Sequence, residues 1–174
     1  RQRQMCIRDR AIRGLMLNSQ RRFDEALESA RNAILHASSA AHTLALASLV
    51  LRSCGETEAS ILHMQKAMRL CPLYPAWYVY SNAICYWMTR DYEPALTCIE
   101  EAIRIDPELS LNFLVLAMIH AETDQPALAQ DAVKRLLEID PDFRLDVFSN
   151  GSPFRDEAVE ARRQRALLEA GLPR

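Results

Sequence analysis

Residues 99–107, IEEAIRIDP, close a segment that occurs three times in this chain. The same arrangement stands in residues 64–72, MQKAMRLCP, and in residues 133–141, VKRLLEIDP, so the three prolines follow one another at intervals of 35 and 34 residues. One period before the first proline, Ser38 occupies the equivalent position. A fixed period of this length predicts a helical repeat array, in which one supersecondary unit stacks on the next.

Each period contains two apolar patterns with helical spacing. Both follow the i, i+3, i+4, i+7 pattern of an amphipathic helix, so each unit is predicted to hold two helices. The prolines stop the second helix, because the residue before a proline is displaced from the helical backbone conformation. Equivalent positions are filled by Leu44, Val79 and Phe113 in the first helix, by Gly55, Arg90-Asp91 and Asp124-Gln125 in the turn, and by Ala30, Met64, Ile99 and Val133 in the second helix.

The composition fits a soluble, all-helical chain and excludes several classes of protein. Of the 174 residues, 49% are hydrophobic and only 4 are glycine, which argues against low complexity and against a strand-and-turn fold. The net charge of −2 gives no electrostatic reason to bind nucleic acid or an acidic membrane, so we expect neither as a partner. The longest nearly apolar stretch, residues 44–51, is too short to span a bilayer.

The cysteines and histidines show no motif for a metal or a cofactor. The five cysteines contain no Cys-x-x-Cys pair, and the four histidines are not spaced as metal ligands. We therefore expect reduced thiols in a cytoplasmic protein that holds no metal and no cofactor. His120 stands in a slot that is apolar or aromatic in the other units, and we interpret it as a packed core histidine.

The units resemble the tetratricopeptide repeat, or TPR, whose pattern is aromatic-x2-Leu-Gly-x2-Tyr, Ala-x3-Phe and Pro. The resemblance implies an all-α, right-handed superhelix of antiparallel helix pairs that acts as a protein-binding scaffold. It implies no catalytic residue, so we expect no enzyme activity. The pattern is carried by Val79, Asn82, Ala83, Tyr86, Ala95, Ile99 and Pro107, and again by Phe113, Leu116, Ala117, His120, Ala129, Val133 and Pro141.

We assign residues 11–141 to the array, as three full units preceded by a partial one. In the partial unit Arg10 and Arg13 stand in slots that should be apolar, although Gly14 and Leu17 fit. Residues 1–10, RQRQMCIRDR, resemble the conceptual translation of a sequencing adapter, and we interpret them as a non-native or disordered terminus. On that interpretation the chain is a C-terminal fragment of a larger bacterial signalling protein. The alternative is a genuine, frayed basic terminus.

Residues 142–174 leave the repeat pattern and are predicted to form a C-terminal cap. A finite stack needs such a cap, and here Phe143, Leu145, Phe148 and Phe154 would cover the apolar edge of the last repeat. A charged helix follows from Asp156 to Ala170, with Gly171 as its C-terminal glycine. The arginines of this helix, Arg162, Arg163 and Arg165, are expected to face solvent beside its glutamates.

The tail carries a second resemblance. Its segments Pro153-Phe154-Arg155 and Ala170-Gly171-Leu172-Pro173 are similar to the C-terminal region of TPR-bearing bacterial class III adenylate/guanylate cyclases. The resemblance implies an alternative function, in which this chain is the regulatory tail of a nucleotide cyclase. The catalytic domain of such an enzyme is missing from this chain.

In TPR proteins the first helix of each unit lines the concave face. Here that face is apolar and aromatic, and it lacks the clustered Lys, Asn and Arg that grip a C-terminal carboxylate. We therefore expect it to bind an amphipathic helix or an apolar peptide of a protein partner, or the upstream domains of the same polypeptide. An exposed apolar face would also permit self-association. The predicted protein-binding residues are His42, Leu46, Leu49, Trp77, Tyr80, Ile84, Trp87, Leu111, Leu114 and Met118.

The aromatic residues of this face are the predicted anchors, and the alternative is that some of them pack between neighbouring repeats. If Trp77, Tyr80 and Trp87 lie in an open groove, replacing any of them with alanine weakens a partner by roughly 2 kcal/mol and leaves the melting temperature almost unchanged. Replacing Val79 or Tyr86 would instead destabilise the fold, because these side chains face the partner helix.

Overall fold

The structure is a computed structural model that describes residues 2–37 and 39–174, with side chains described from residue 7 onward. Those residues contain helices and no strand, which confirms the predicted all-α class of TPR-like helix pairs. Ser38, the predicted counterpart of the repeat prolines, lies outside the described residues. The helices are α1 (Gln2–Ser19), α2 (Phe23–His36), α3 (Ala41–Ser53), α4 (Thr57–Leu70), α5 (Ala76–Thr89), α6 (Tyr92–Ile105), α7 (Ser110–Glu122), α8 (Pro126–Ile139), α9 (Leu145–Gly151) and α10 (Glu157–Glu169).

The chain forms two compact units. The first unit contains the chain up to Tyr74 together with Ser152–Asp156, and the second contains Pro75–Gly151 together with Glu157–Arg174. In the first unit α1 pairs with α2 and α3 with α4, and in the second α5 pairs with α6 and α7 with α8. The tail therefore contributes to both units, with its middle segment in the first and its two helices in the second.

The turn inside each helix pair has the same geometry in all four pairs. A residue in the left-handed backbone region stands at equivalent positions, and the next N–H donates to the carbonyl five residues earlier, at 2.9 to 3.0 Å. This is the Schellman motif, which satisfies carbonyls that a helix end leaves free. Only one of the four left-handed residues is a glycine. They are Arg21, Gly55, Arg90 and Asp124.

The first helix pair is complete, whereas the sequence predicted only a partial unit. Arg10 and Arg13 are exposed, and α1 instead buries Ala11 and Leu17 against the core of the first unit. Gly14 permits the close approach of α2, because a Cβ atom there would lie 3.3 Å from the carbonyl oxygen of Ala26. Since α1 extends from Gln2 to Ser19, residues 2–10 are helical in this structure. Whether they are native remains a prediction.

In the second unit, the core lies between the paired helices, where Val79, Ala83, Ile99 and Ala102 are buried. The end of α6 is held by a side chain from the next helix. Asn112 is fully buried, and its Nδ2 donates to the carbonyl oxygens of Ala102, at 3.2 Å, and Asp106, at 2.8 Å. The same two carbonyls also accept backbone N–H groups, from Asp106 at 3.0 Å and from Leu109 at 3.4 Å, so Asn112 adds a second donor to each.

The tail folds back through two short helices. Gly171 has a φ of 90°, and Leu172 N–H donates to the carbonyl of Leu167 at 3.0 Å, so the predicted C-terminal glycine of α10 is confirmed. Leu145 N–H, at the start of α9, donates to the carbonyl of Pro173 at 3.1 Å, which closes the tail on itself.

Phe154, which the sequence predicts to cover the edge of the last repeat, is buried in a segment that belongs to the first unit. On either side of it, the carbonyl of Pro153 accepts from Asn18 Nδ2 at 3.4 Å, and Arg155 N–H donates to the carbonyl of Ser53 at 2.8 Å. Arg155 also forms an exposed ion pair with Asp24 at 2.9 Å. Short-range pattern gave no indication of these contacts, since they join residues that are far apart in the sequence.

Candidate protein-interaction face

Helix α3 carries the three predicted binding residues of the first unit. His42 is exposed, while Leu46 and Leu49 are half-buried. Leu46 packs against the core of this unit. Partial desolvation of its ring lowers the pKa of His42, and the charge of Arg8 lowers it further. In this part of the predicted face, solvent therefore reaches His42 readily and the two leucines only in part.

The predicted binding residues of the second unit lie on α5 and α7, and we call them the α5–α7 face. None of them is fully exposed. Trp77, Tyr80 and Leu111 are half-buried. The other four are buried, with exposures of 6% or less, and they are Ile84, Trp87, Leu114 and Met118. The expectation that these four side chains line an open groove is therefore wrong.

Helix α10 of the tail packs against α7, and one of its arginines reaches α5. Arg162 Nη2 donates to the carbonyl oxygens of Trp87, at 2.7 Å, and Met88, at 3.2 Å. Its guanidinium lies over the Trp87 ring, 4.1 Å from the centroid. These two carbonyls are in the last turn of α5, which carries the negative end of the helix dipole and attracts a cation.

The carboxylate of Glu122 also approaches the guanidinium of Arg162. Its Oε1 lies 3.1 Å from Arg162 Nε, and its Oε2 accepts from the Tyr92 hydroxyl at 2.9 Å. The side chains of Arg162 and Glu122 are only 10% and 14% exposed, so little solvent screens their ion pair. Burial raises the pKa of Tyr92, and its bond to Glu122 raises it further, which keeps the hydroxyl protonated as a donor. We call these groups, with the Trp87 ring and the two carbonyls, the arginine site.

The neighbouring arginine of α10 is also buried. Arg163 Nη2 donates to both carboxylate oxygens of Glu160, each at 2.7 Å, and the guanidinium lies over the Phe148 ring, 5.2 Å from the centroid. The prediction that Arg162 and Arg163 face solvent is therefore wrong, whereas Arg165 is exposed as expected. A polar helix with mixed charge has the same sequence pattern whether or not its arginines are buried, so the arginine site could not be found from the sequence.

The described cysteines and histidines form neither a metal site nor a reactive thiol. Among the described residues, no three His, Cys, Asp or Glu side chains are placed to hold a metal ion. Burial raises the pKa of Cys54 and of Cys98 to about 11, which makes both thiols poor nucleophiles. His120 is half-buried, and burial lowers its pKa. No described helix is long and apolar enough to cross a membrane.

Comparison with known proteins identifies the type of helical architecture. The tetratricopeptide repeat family model matches residues 75–109, which contain α5 and α6. TTC0263, a thermophilic TPR protein of Thermus thermophilus, superposes with a TM-score of 0.71 at 15% identity, over 93% of this chain and 99% of that one. The fold is that of the TPR proteins.

Two further TPR-like structures agree with this. PilF of Pseudomonas aeruginosa has a TM-score of 0.67 at 18% identity, over 98% of this chain and 79% of that one. YrrB, a TPR protein with an unusual peptide-binding site, has a TM-score of 0.55 at 18% identity, over 90% and 80% of the two chains. At such identities the likeness concerns the fold alone. Comparison of the sequence with curated proteins gives no match.

Proposed function

We propose that this chain is a non-enzymatic protein-interaction module whose α5–α7 face binds a helix of a protein partner. The observation that carries the proposal is the docking of α10, since this side of the unit already holds a helix through Arg162, Trp87 and Glu122. Chains with the TPR fold generally serve as interaction scaffolds, and YrrB is one with a peptide-binding site. The proposal extends to His42, Leu46 and Leu49 as the contact residues of the first unit.

The proposed ligand is narrower than the amphipathic helix or apolar peptide expected from the sequence. The face offers buried apolar side chains together with a cation site at the end of α5, so an amphipathic helix with at least one basic residue fits it best. Neither nucleic acid nor a membrane surface is proposed as a partner, and we propose a cytoplasmic, bacterial setting for the module.

The test uses a defined probe and the full chain. A fluorescein-labelled peptide copying residues 156–172 is titrated with the chain, and binding is followed by anisotropy and by amide chemical-shift changes. We expect saturable binding with shifts concentrated in α5 and α7. A scrambled peptide of the same composition is the control. Equal binding of both peptides would contradict the proposal.

The alternative, a regulatory tail of a class III nucleotide cyclase, rests on the tail segments at residues 153–155 and 170–173. In the fold these segments hold the tail in place through hydrogen bonds of their backbone groups. Within the first unit, the Pro153 carbonyl accepts from Asn18 and the Arg155 N–H donates to Ser53, and in the second unit the Pro173 carbonyl accepts from Leu145. Nothing in the site favours the cyclase over other parents. Reading the genomic sequence upstream of residue 11 tests it, and a cyclase domain there would support this alternative.

A further inference from the structure

We propose that the arginine site is a guanidinium-recognition site, and that α10 is an internal ligand that keeps it closed until an arginine-bearing helix of a partner displaces it. This inference rests on the proposed function, since it names the ligand chemistry and the regulation of the same face.

The geometry favours arginine over lysine. The occupant is stacked on the Trp87 ring while it donates to two backbone carbonyls and pairs with the Glu122 carboxylate. A planar guanidinium can do all of this at once because it has five donors in one plane and two apolar faces. An ammonium group lacks the plane, so it would lose either the ring contact or some of its hydrogen bonds.

Helix α10 leaves one buried donor of the arginine site without an acceptor. Trp87 Nε1 is buried and has no hydrogen-bond partner within the described residues. Arg162 makes the hydrogen bonds from α10 to the carbonyls at the end of α5. A partner helix that adds an acceptor for Trp87 Nε1 would satisfy a group that α10 leaves unpaired.

Tethering explains how such a ligand can still keep the site closed. A segment held on the same chain competes at an effective concentration on the order of millimolar, whatever its intrinsic affinity. A free partner must therefore bind more tightly than α10 does, or α10 must first be weakened. The site selects against weak basic peptides for the same reason.

The experiment compares two labelled peptides copying residues 156–172, one natural and one with the alanine substitution at position 162, on three full-length chains. These are the wild type, Arg162→Ala and Arg165→Ala, the last removing an exposed arginine of the same helix. We expect the natural peptide to bind the Arg162→Ala chain at least about tenfold more tightly than the other two chains. We also expect it to bind that chain at least about tenfold more tightly than the alanine peptide does.

The outcomes separate this inference from the proposed function. If the natural peptide binds all three chains equally, or if both peptides bind equally, the inference is overturned while the helix-binding function stands. If neither peptide binds any chain at millimolar concentration, both fail. Circular dichroism checks that Arg162→Ala is folded. If it is not, Arg162→Lys replaces it, with the same direction of change expected and its absence counting against the inference.

Discussion

Trp87 has no exposed surface. Its ring packs against the guanidinium of Arg162 and is also part of the core of the second unit. Trp87→Ala should therefore lower the free energy of unfolding by about 3–5 kcal/mol, because it removes a large buried side chain and leaves a cavity. Urea unfolding followed by circular dichroism measures this loss. Trp87→Phe is the matched control and should cost less. A Trp87→Ala chain with wild-type stability would mean that the ring does not fill the core.

His120 lies in a packed slot where burial lowers its pKa, and the same holds for His63. A lowered pKa means that the unfolded chain binds more protons than the folded chain at mildly acidic pH. Stability should therefore be constant above the usual histidine pKa of about 6.5 and should fall as the pH decreases below it.

His120→Tyr should make that decrease smaller, because tyrosine stays neutral throughout this range and suits the slot that Tyr86 fills in the preceding unit. Urea midpoints between pH 5.5 and 8 measure the effect for both chains. If the two chains show the same acid dependence, His120 is not one of the groups responsible.

A single side chain, Asn112, donates two hydrogen bonds to the backbone carbonyls at the end of α6. Asn112→Ala removes two hydrogen bonds of a buried side chain at this helix end and should cost about 1–3 kcal/mol, at about 0.5–1.5 kcal/mol for each bond. Asn150→Ala is the control, since Asn150 is exposed and should change stability by less than about 0.5 kcal/mol. Differential scanning fluorimetry of both variants checks the difference. Equal melting temperatures would contradict the role of Asn112.

The repeated elements and the last helix could be predicted from the sequence, but the contacts that the tail makes could not. The turns at Gly55, Arg90 and Asp124 follow from local chemistry that recurs with the period, and so do the stops at the repeat prolines. The docking of α10 depends on contacts between residues about 75 positions apart, such as Arg162 and Trp87. No periodic pattern records such a contact, and an arginine beside glutamates has the same spacing whether it is buried or exposed.

Across the whole molecule, stability should be distributed unevenly, with α10 among the first helices to open. Helix α7 buries four large apolar residues, whereas the only large apolar residue buried by α10 is Leu167. Local opening free energy follows buried apolar contact, so amides of α10 should exchange with deuterium well before those of α7.

Arg162→Ala should accelerate this exchange in α10 by about tenfold or more, because it removes an ion pair and three further contacts that hold the helix to α5 and α7. Exchange in α1 to α4 should not change, since Arg162 belongs to the second unit. Arg165→Ala should leave every helix at the wild-type rate. Hydrogen exchange read by mass spectrometry resolves these segments. An equal acceleration in all helices would show that Arg162 supports global stability, whereas an acceleration confined to α10 identifies the helix as a separable element that a partner could displace.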